Sequence, residues 1–253
     1  METAIILGVL AVVAVAIFIS ATFGFGDALV SMPLLTMLVG SAVAAPFVAA
    51  LSLLTGIIVF LPQWRRVAWQ QVLPLLCTAL AIMPIGFYAG AVLDEQIMRR
   101  VLGVFVLLFA LYSLFFRQRL LRAAAKDILT TERRIGFDYK VLPFGALAGF
   151  FGGAYNISGP PAVLYGTLSG WRAEVFATSL QGFFFPLSLF AVSARVATGS
   201  YTPQVLWLLL LALPVVLVAA ALGRYANARL QQGERFHVFI YLLLLALGTL
   251  LLL

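Results

Sequence analysis

Residues 23–33 read Phe-Gly-Phe-Gly-Asp-Ala-Leu-Val-Ser-Met-Pro, and residues 150–160 read Phe-Phe-Gly-Gly-Ala-Tyr-Asn-Ile-Ser-Gly-Pro. When Phe23 is aligned with Phe150, the two stretches share a phenylalanine, a glycine, a serine and a proline. Each stretch interrupts long apolar sequence with glycine and almost no charge. Toward the end of each half, the best match instead pairs Gly86 with Gly223. This recurrence indicates two related halves, each of which contains a broken membrane segment.

The composition excludes a soluble domain. The chain has 253 residues, of which 64% are hydrophobic and 10% charged, whereas a soluble domain carries about 25% charged residues. A single water-facing protein cannot bury so much apolar surface, but a bilayer can accept it in spans of about 20 residues. The predicted fold class is therefore all-α, a polytopic transmembrane bundle.

About ten segments are expected, arranged as two inverted repeats with broken helices. The apolar runs cover residues 4–23, 28–39, 41–62, 67–93, 98–116, 141–154, 157–168, 173–198, 203–224 and 236–253. The predicted divisions are an N-terminal transmembrane repeat over 1–116, a polar linker over 117–140 and a C-terminal transmembrane repeat over 141–253.

The basic residues predict the orientation of the segments. The net charge is +7, but the lysines and arginines lie between apolar runs, which argues for membrane topology and against nucleic acid. If all ten segments cross and the linker is cytoplasmic, 13 basic residues lie inside and 3 outside. If 28–39 and 157–168 do not cross, the split is 10 to 6. Ten segments are favoured, and five per half give the inverted repeat of secondary transporters.

The short segments that follow the glycines predict where a substrate binds. Segment 28–39 gives a helix of only about 18 Å, too short for a hydrocarbon core of about 30 Å. Helix breaks at membrane depth persist where they line a polar cavity, and helix N-termini there suit an anion. The alternative is that the glycines only allow close helix packing. The predicted helix-break residues are Gly24, Gly26, Gly152, Pro33 and Pro160.

Asp27 is the predicted coupling residue. It lies between the first glycines and an apolar run, and an intramembrane carboxyl group is costly enough to indicate function. A buried carboxyl that exchanges a proton would couple protons to anion movement, because an ionised Asp27 would repel the anion. The alternative is an N-cap for the helix that starts at Ala28. When Phe23 is aligned with Phe150, the partner of Asp27 is Ala154, so the acid is not duplicated.

Hydrogen-bond donors near the breaks are the candidate substrate ligands. Helix capping and hydrogen bonds between helices are the alternatives for these side chains. Arg195 lies near the end of its span, where snorkelling is favoured over ligand binding. His237 and Cys77 are single, which argues against a His/Cys metal centre or a nucleophile–base pair, and no cofactor is expected. The predicted substrate-binding residues are Asn156, Ser158, Gly153, Gly159, Ser31, Ser52, Ser179 and Gln181.

The glycine-rich stretches resemble those of the TauE/SafE family of sulfite exporters, also called TSUP. The resemblance is carried by Gly24-Phe25-Gly26-Asp27 through Pro33-Leu34-Leu35, and by Gly152-Gly153 through Gly159-Pro160-Pro161. It implies a bacterial-type inner-membrane carrier for sulfite, an organosulfonate or a similar small anion, in contact with membrane lipids.

The sequence hypothesis is alternating-access transport of such an anion, either coupled to protons or as a uniport. An anion channel, an intramembrane enzyme and a non-transporting membrane scaffold are the alternatives. Each predicts a different observation: conductance without saturation, hydrolysis, or no flux.

Overall fold

The computed structural model describes residues 3–92, 141–169, 171 and 173–230, together with isolated helical residues between 100 and 111 and at 245 and 249. These residues form an all-helical bundle without strands in the described ranges, which confirms the predicted fold class. The predicted linker 117–140 and most of segments 98–116 and 236–253 lie outside the described residues. The remaining eight predicted segments each contain a helix.

Eight α-helices follow in chain order. The first half contains α1 (Thr3–Phe23), α2 (Asp27–Val39), α3 (Ser41–Thr55) and α4 (Trp69–Val92). α3 continues through a π-helical turn, Gly56–Phe60, and a 3-10 segment, Leu61–Arg66. The second half contains α5 (Val141–Tyr155), α6 (Gly159–Leu168), α7 (Ala173–Ala197) and α8 (Pro203–Leu230).

Five helices among the described residues are long and apolar enough to cross a bilayer. They are Thr3–Phe23, Ser41–Arg66, Trp69–Val92, Phe176–Ala197 and Pro203–Asn227. The short helices α2 and α6 have 13 and 10 residues, so neither is as long as the hydrocarbon core is thick. α2 turns back beside α1, because a methyl group at Gly8 would lie 3.6 Å from Leu38. The chain thus reverses direction at the first break.

The helix contacts are symmetric between the halves. α1 packs on α8, and α4 packs on α5. α3 contacts both α7 and α8, and α7 also contacts α4. Exchanging α1 with α5, α3 with α7 and α4 with α8 leaves this pattern unchanged. The two halves therefore occupy equivalent places in the bundle, as the sequence repeat predicts.

Close packing at glycines shows which residues of the two halves are equivalent. Gly86 in α4 lies against the Phe150 carbonyl of α5, and Gly223 in α8 lies against the Phe18 carbonyl of α1. The two glycines are the pair predicted from sequence for this region. They play the same part in two equivalent helix contacts.

The register at the breaks differs from the predicted one. The equivalent carbonyls pair Phe18 with Phe150, and the ends of α1 and α5 pair Phe23 with Tyr155 at the same separation along the chain. The predicted alignment of Phe23 with Phe150 is therefore wrong. Matching small and apolar residues arises readily in glycine-rich spans, so sequence identity alone selected the wrong register.

The halves have opposite orientations. Equivalent helices α3 and α7 lie side by side, and their contacts run in opposite directions along the chain. Near the start of α3, the Pro46 carbonyl accepts a hydrogen bond of 3.2 Å from Tyr201, just beyond the end of α7. After α3 ends, Val67 lies against Gly182 near the start of α7. Equivalent helices that run antiparallel are the geometry expected of an inverted repeat.

The glycine contact between α4 and α5 gives a stability prediction. Gly86→Ala is expected to lower the thermal midpoint of the purified protein, because the new methyl group would overlap the Phe150 carbonyl. Overpacking costs about 1–3 kcal/mol, which corresponds to roughly 2–10 °C for a chain of this size. Gly8→Ala is the matched control, since its methyl group would be at ordinary contact distance. Equal midpoints for the two variants, measured by intrinsic fluorescence in detergent, would contradict the packing assignment.

Candidate functional site

Each break contains a residue in the left-handed backbone region. Gly24 has φ 83° and Gly26 has φ 108°, and Asn156 has φ 59°. The Gly24 amide donates to the Ser20 carbonyl at 2.8 Å, and the Asn156 amide donates to the Gly152 carbonyl at 2.9 Å. The donors and the acceptors of these two bonds are equally separated along the chain, as are the ends of α1 and α5. Gly24 and Asn156 are therefore equivalent, and each ends one helix and turns the chain into the next.

The two breaks line one cavity, which we call the central cavity. It has a volume of about 40 Å³, room for roughly three or four water-sized groups. α3 and α7 contribute the opposite walls near the middle of their lengths. The polar and glycine residues that line it are Gly26, Asp27, Ser52, Gly152, Asn156, Ser158, Gly159, Gln181 and Ser188.

The first break places Asp27 in this cavity. Asp27 begins α2 and is only partly buried, and the Ser52 hydroxyl donates to its Oδ2 at 2.6 Å. Its carboxyl group also lies against the backbone N–H groups of Asp27 and Ala28. The carboxyl therefore stabilises the start of α2 while it faces the cavity, so the two alternatives predicted from sequence both describe Asp27.

The second break supplies hydrogen-bond donors. The Asn156 side-chain amide donates to the Ala45 carbonyl of α3 at 2.9 Å, and the same residue lines the central cavity. Ser158 is 6% exposed and lies against Gly152, where a methyl group would overlap its hydroxyl oxygen. Gly152 is inside α5 rather than at its end, so its assignment as a helix-break residue is wrong. Its physical role is to leave room for Ser158.

Gln181 connects α7 to the first break. Its amide donates to the Gly24 carbonyl at 3.0 Å and to the Ser20 hydroxyl at 3.4 Å, and the side chain is 5% exposed. The Gly24 carbonyl belongs to the end of α1, where the helix cannot supply a partner. Gln181 therefore satisfies a broken helix and lines the central cavity with the same side chain.

The electrostatics of the central cavity come from helix ends and one acid. No basic side chain is among its lining residues in the described part of the chain. The N-termini of α2 and α6 both reach the cavity, and helix N-termini carry partial positive charge. Pro160 and Pro161 have no N–H, so Gly159 is the lining residue of α6 whose backbone can donate. A small anion can be held by these groups when Asp27 is neutral.

Two larger cavities flank the central one. The first, the Arg66 vestibule, has a volume of about 570 Å³ and lies where α3 ends; its lining includes Gly24, Gln63, Arg66, Ala177, Arg224 and Asn227. The second, the Arg195 vestibule, has a volume of about 630 Å³ and lies where α7 ends; its lining includes Ala45, Phe87, Gly153, Arg195, Thr198 and Ser200. They lie toward opposite faces, because α3 and α7 are antiparallel.

Equivalent contacts separate each vestibule from the central cavity. On the Arg66 side, Gly24 is so close to α7 that a methyl group would lie 2.6 Å from Ala177. On the Arg195 side, Asn156 bonds Ala45. Ala45 and Ala177 have the same separation along the chain as Gly24 and Asn156. The cavity is therefore closed on each side by the same element of the repeat, and we call these contacts the two constrictions.

Several predicted site residues lie elsewhere. Ser31 is 1% exposed and its hydroxyl donates to the Asp27 carbonyl within α2. Ser179 accepts from the Ala68 amide at 3.2 Å, which is a contact between helices. Gly153 lines the Arg195 vestibule. Pro33 lies within α2 and Pro160 in the first turn of α6, so neither is part of a break.

Sequence reasoning missed Ser188 and misjudged Arg195. Gln181, Ser188 and Arg195 recur at a heptad spacing, which places them on one face of α7. Each lines at least one of the three cavities described above. A polar residue at every second turn of an apolar span was the signal that could have identified this face.

Comparison with known proteins gave one match. A family model described as "Sulfite exporter TauE/SafE" matches residues 9–251. It confirms the resemblance predicted from the glycine-rich stretches. No curated protein and no solved structure matches the chain.

The left-handed conformation of Asn156 gives a prediction that separates its backbone from its amide. Asn156→Gly is expected to retain the thermal midpoint within a few degrees, because glycine adopts this φ without strain. Asn156→Ala is expected to be less stable than Asn156→Gly by about 1 kcal/mol or more. If both variants unfold at the same temperature in detergent, the backbone conformation does not limit the choice of residue.

Proposed function

Because the chain belongs to the TauE/SafE sulfite exporter family, we propose that it is a secondary transporter that carries a small sulfur-containing anion across the bacterial-type inner membrane by alternating access. The observation that carries this proposal is the convergence of both helix breaks, from two oppositely oriented halves, on one central cavity. Broken helices that meet at the repeat interface are typical of the substrate sites of secondary transporters.

The size and donors of the central cavity favour a compact anion. A volume of about 40 Å³ suits an oxyanion of four or five heavy atoms better than a long organic molecule. Ser158, Asn156 and Gly159 offer donors from the second half, and Ser52 and Gln181 offer donors from α3 and α7. A sulfite or sulfonate group accepts several hydrogen bonds at once, so these groups match its chemistry.

Asp27 couples anion binding to protonation in this proposal. An ionised carboxyl in the same small cavity would repel an anion, while a neutral carboxylic acid would not. Protonation and anion binding therefore favour each other. The Ser52 hydroxyl, 2.6 Å from Oδ2, can turn toward the anion when Asp27 is protonated. The membrane potential also drives an anion outward from an inside-negative cell.

The two constrictions are the gates of the proposed transport cycle. Each is one contact between a break and α3 or α7, and the repeat makes them equivalent. Opening one while the other stays closed connects the central cavity to one vestibule at a time. A rocking movement of one half against the other is the usual way in which inverted repeats exchange these states.

Other classes of protein fit the site less well. A channel would hold both constrictions open together, and no ring of like charges lines the central cavity within the described ranges. Among the described residues no group of three His, Cys, Asp or Glu side chains could hold a metal ion. A membrane scaffold would have no reason to keep Asp27 and two helix ends around one cavity.

Asp27→Asn gives the test of transport and of proton coupling. In vesicles with reconstituted protein, wild type is expected to carry sulfite and methanesulfonate, with methanesulfonate flux that rises as pH falls and neutralises Asp27. The neutral variant is expected to lose this pH dependence and to exceed wild type at high pH by at least about tenfold, because the charge repulsion is gone. Methanesulfonate is used because it stays anionic throughout.

Ser193→Ala is the control for Asp27→Asn, since that hydroxyl is exposed and donates to Leu189 within α7. It is expected to keep the wild-type pH profile. Flux no greater than in protein-free vesicles would overturn the proposed function. An unchanged pH profile in Asp27→Asn, with flux retained, would remove only the coupling role of Asp27.

Equivalent cysteines at the constrictions test alternating access. In a Cys77→Ser background, Ala45→Cys and Ala177→Cys place one thiol in each vestibule. A proton gradient or saturating substrate is expected to raise the rate of maleimide labelling at one position and lower it at the other. Labelling rates that always change together would favour a channel, and rates that never change would favour a static scaffold.

A further inference from the structure

We propose that the guanidinium group of Arg195 is a second anion-binding site, which receives a small oxyanion in the Arg195 vestibule next to the central cavity. The inference rests on the proposed function, because it gives the transported anion a place on its path. It adds a binding residue that the helix breaks alone do not identify, and it replaces the predicted snorkelling of Arg195 toward the membrane surface.

The environment of Arg195 fits a ligand rather than a surface position. Arg195 lies in the last turn of α7, and its guanidinium carbon is 5.3 Å from the centre of the Phe87 ring. Its Nε is buried and has no hydrogen-bond partner among the described residues. The aromatic ring covers one face of the guanidinium, so its N–H edges remain for an acceptor that enters the vestibule.

No acid compensates this charge in the described part of the chain. The lining of the Arg195 vestibule contains no aspartate or glutamate. Burial raises the pKa of Tyr201, although Arg195 opposes that shift, so the phenol stays neutral near pH 7. The Tyr201 hydroxyl donates to the Pro46 carbonyl at 3.2 Å rather than serving Arg195 as an acceptor. A buried, uncompensated guanidinium attracts an anion.

The chemistry of the site selects oxyanions with two or more acceptor oxygens. The planar guanidinium donates two parallel hydrogen bonds to sulfite, sulfonate, sulfate or carboxylate groups, which an ammonium group cannot match. The side chains of Thr198 and Ser200 line the same cavity. Because the vestibule is much larger than the central cavity, at about 630 Å³, it also accepts the short carbon chain of an organosulfonate.

The position of Arg195 connects this site to the central cavity. Gln181, Ser188 and Arg195 follow one face of α7 at a heptad spacing. Only the constriction between Asn156 and Ala45 separates the vestibule from the central cavity among the described residues. An anion that leaves Ser188 through this constriction therefore meets Arg195 next, and an anion that arrives from that face meets Arg195 first.

Arginine modification tests the site without measuring transport. Purified wild-type protein in detergent is treated with phenylglyoxal, with and without methanesulfonate, and labelled arginines are quantified by peptide mass spectrometry. Methanesulfonate is chosen because it does not add to the dicarbonyl reagent. Labelling of Arg195 is expected to slow at least fivefold, while Arg65, which is exposed and stacked on Trp64, is expected to label equally in both samples. Equal labelling of Arg195 in both samples would overturn the site.

Transport kinetics provide the second measurement. Arg195→Gln is expected to raise the KM for methanesulfonate at least about tenfold, because a charge-assisted pair of hydrogen bonds is lost. Arg195→Lys keeps the charge but loses the planar fork, so its KM is expected to lie between the two. Arg65→Gln is the control and is expected to retain the wild-type KM. A KM for Arg195→Gln equal to wild type, in protein that unfolds at the wild-type temperature, would also overturn the site.

The two measurements separate this inference from the proposed function. Vesicle flux with no methanesulfonate protection of Arg195 would leave the transporter and remove the second site. Protection of Arg195 with no flux of any tested anion would leave an anion-binding membrane protein and remove the transporter.

Discussion

The structure depends on how the backbone is satisfied at two helix breaks inside the membrane. Lipid offers no hydrogen bonds, so each free N–H or carbonyl group at such a break needs a partner from the protein or from water in a cavity. The carboxyl group of Asp27 lies against the N–H groups that begin α2, and the Gln181 amide bonds the Gly24 carbonyl that ends α1. The groups that permit the breaks are thus the groups that line the central cavity.

Close packing of the outer helix pairs holds these breaks against each other. Gly145, Gly149 and Gly153 bring α5 onto α4. α1 packs on α8 through Gly223 and through a hydrogen bond from the Asn227 amide to the backbone of α1. Small residues allow helix backbones to approach closely where no hydrophobic effect drives association. These two rigid pairs surround α3 and α7, which carry the walls of the site. The arrangement suits movement of pairs as units.

Much of the fold and the centre of the site could be predicted from sequence. Composition and glycine breaks identified a broken-helix bundle, and five of the predicted site side chains reach the central cavity: Asp27, Asn156, Ser158, Ser52 and Gln181. The register could not be predicted, because sequence identity matched Ser31 to Ser158, whereas the helix ends place Gly26 opposite Ser158. Ser31 and Ser179 were misjudged because a serine in an apolar span is equally suited to bond its own helix or a neighbour.

The repeat makes the scaffold symmetric but leaves the chemistry asymmetric. In the register of the helix ends Asp27 corresponds to Gly159, so the acid is on one side of the cavity and an open backbone donor is on the other. Because both constrictions are built by the same element, the scaffold alone favours neither face. A preference for one face must then come from residues that are not duplicated: the single carboxyl at the centre and the arginines that differ between the vestibules. An inverted repeat thereby allows the two gates to be balanced while a few side chains determine what binds and from which side.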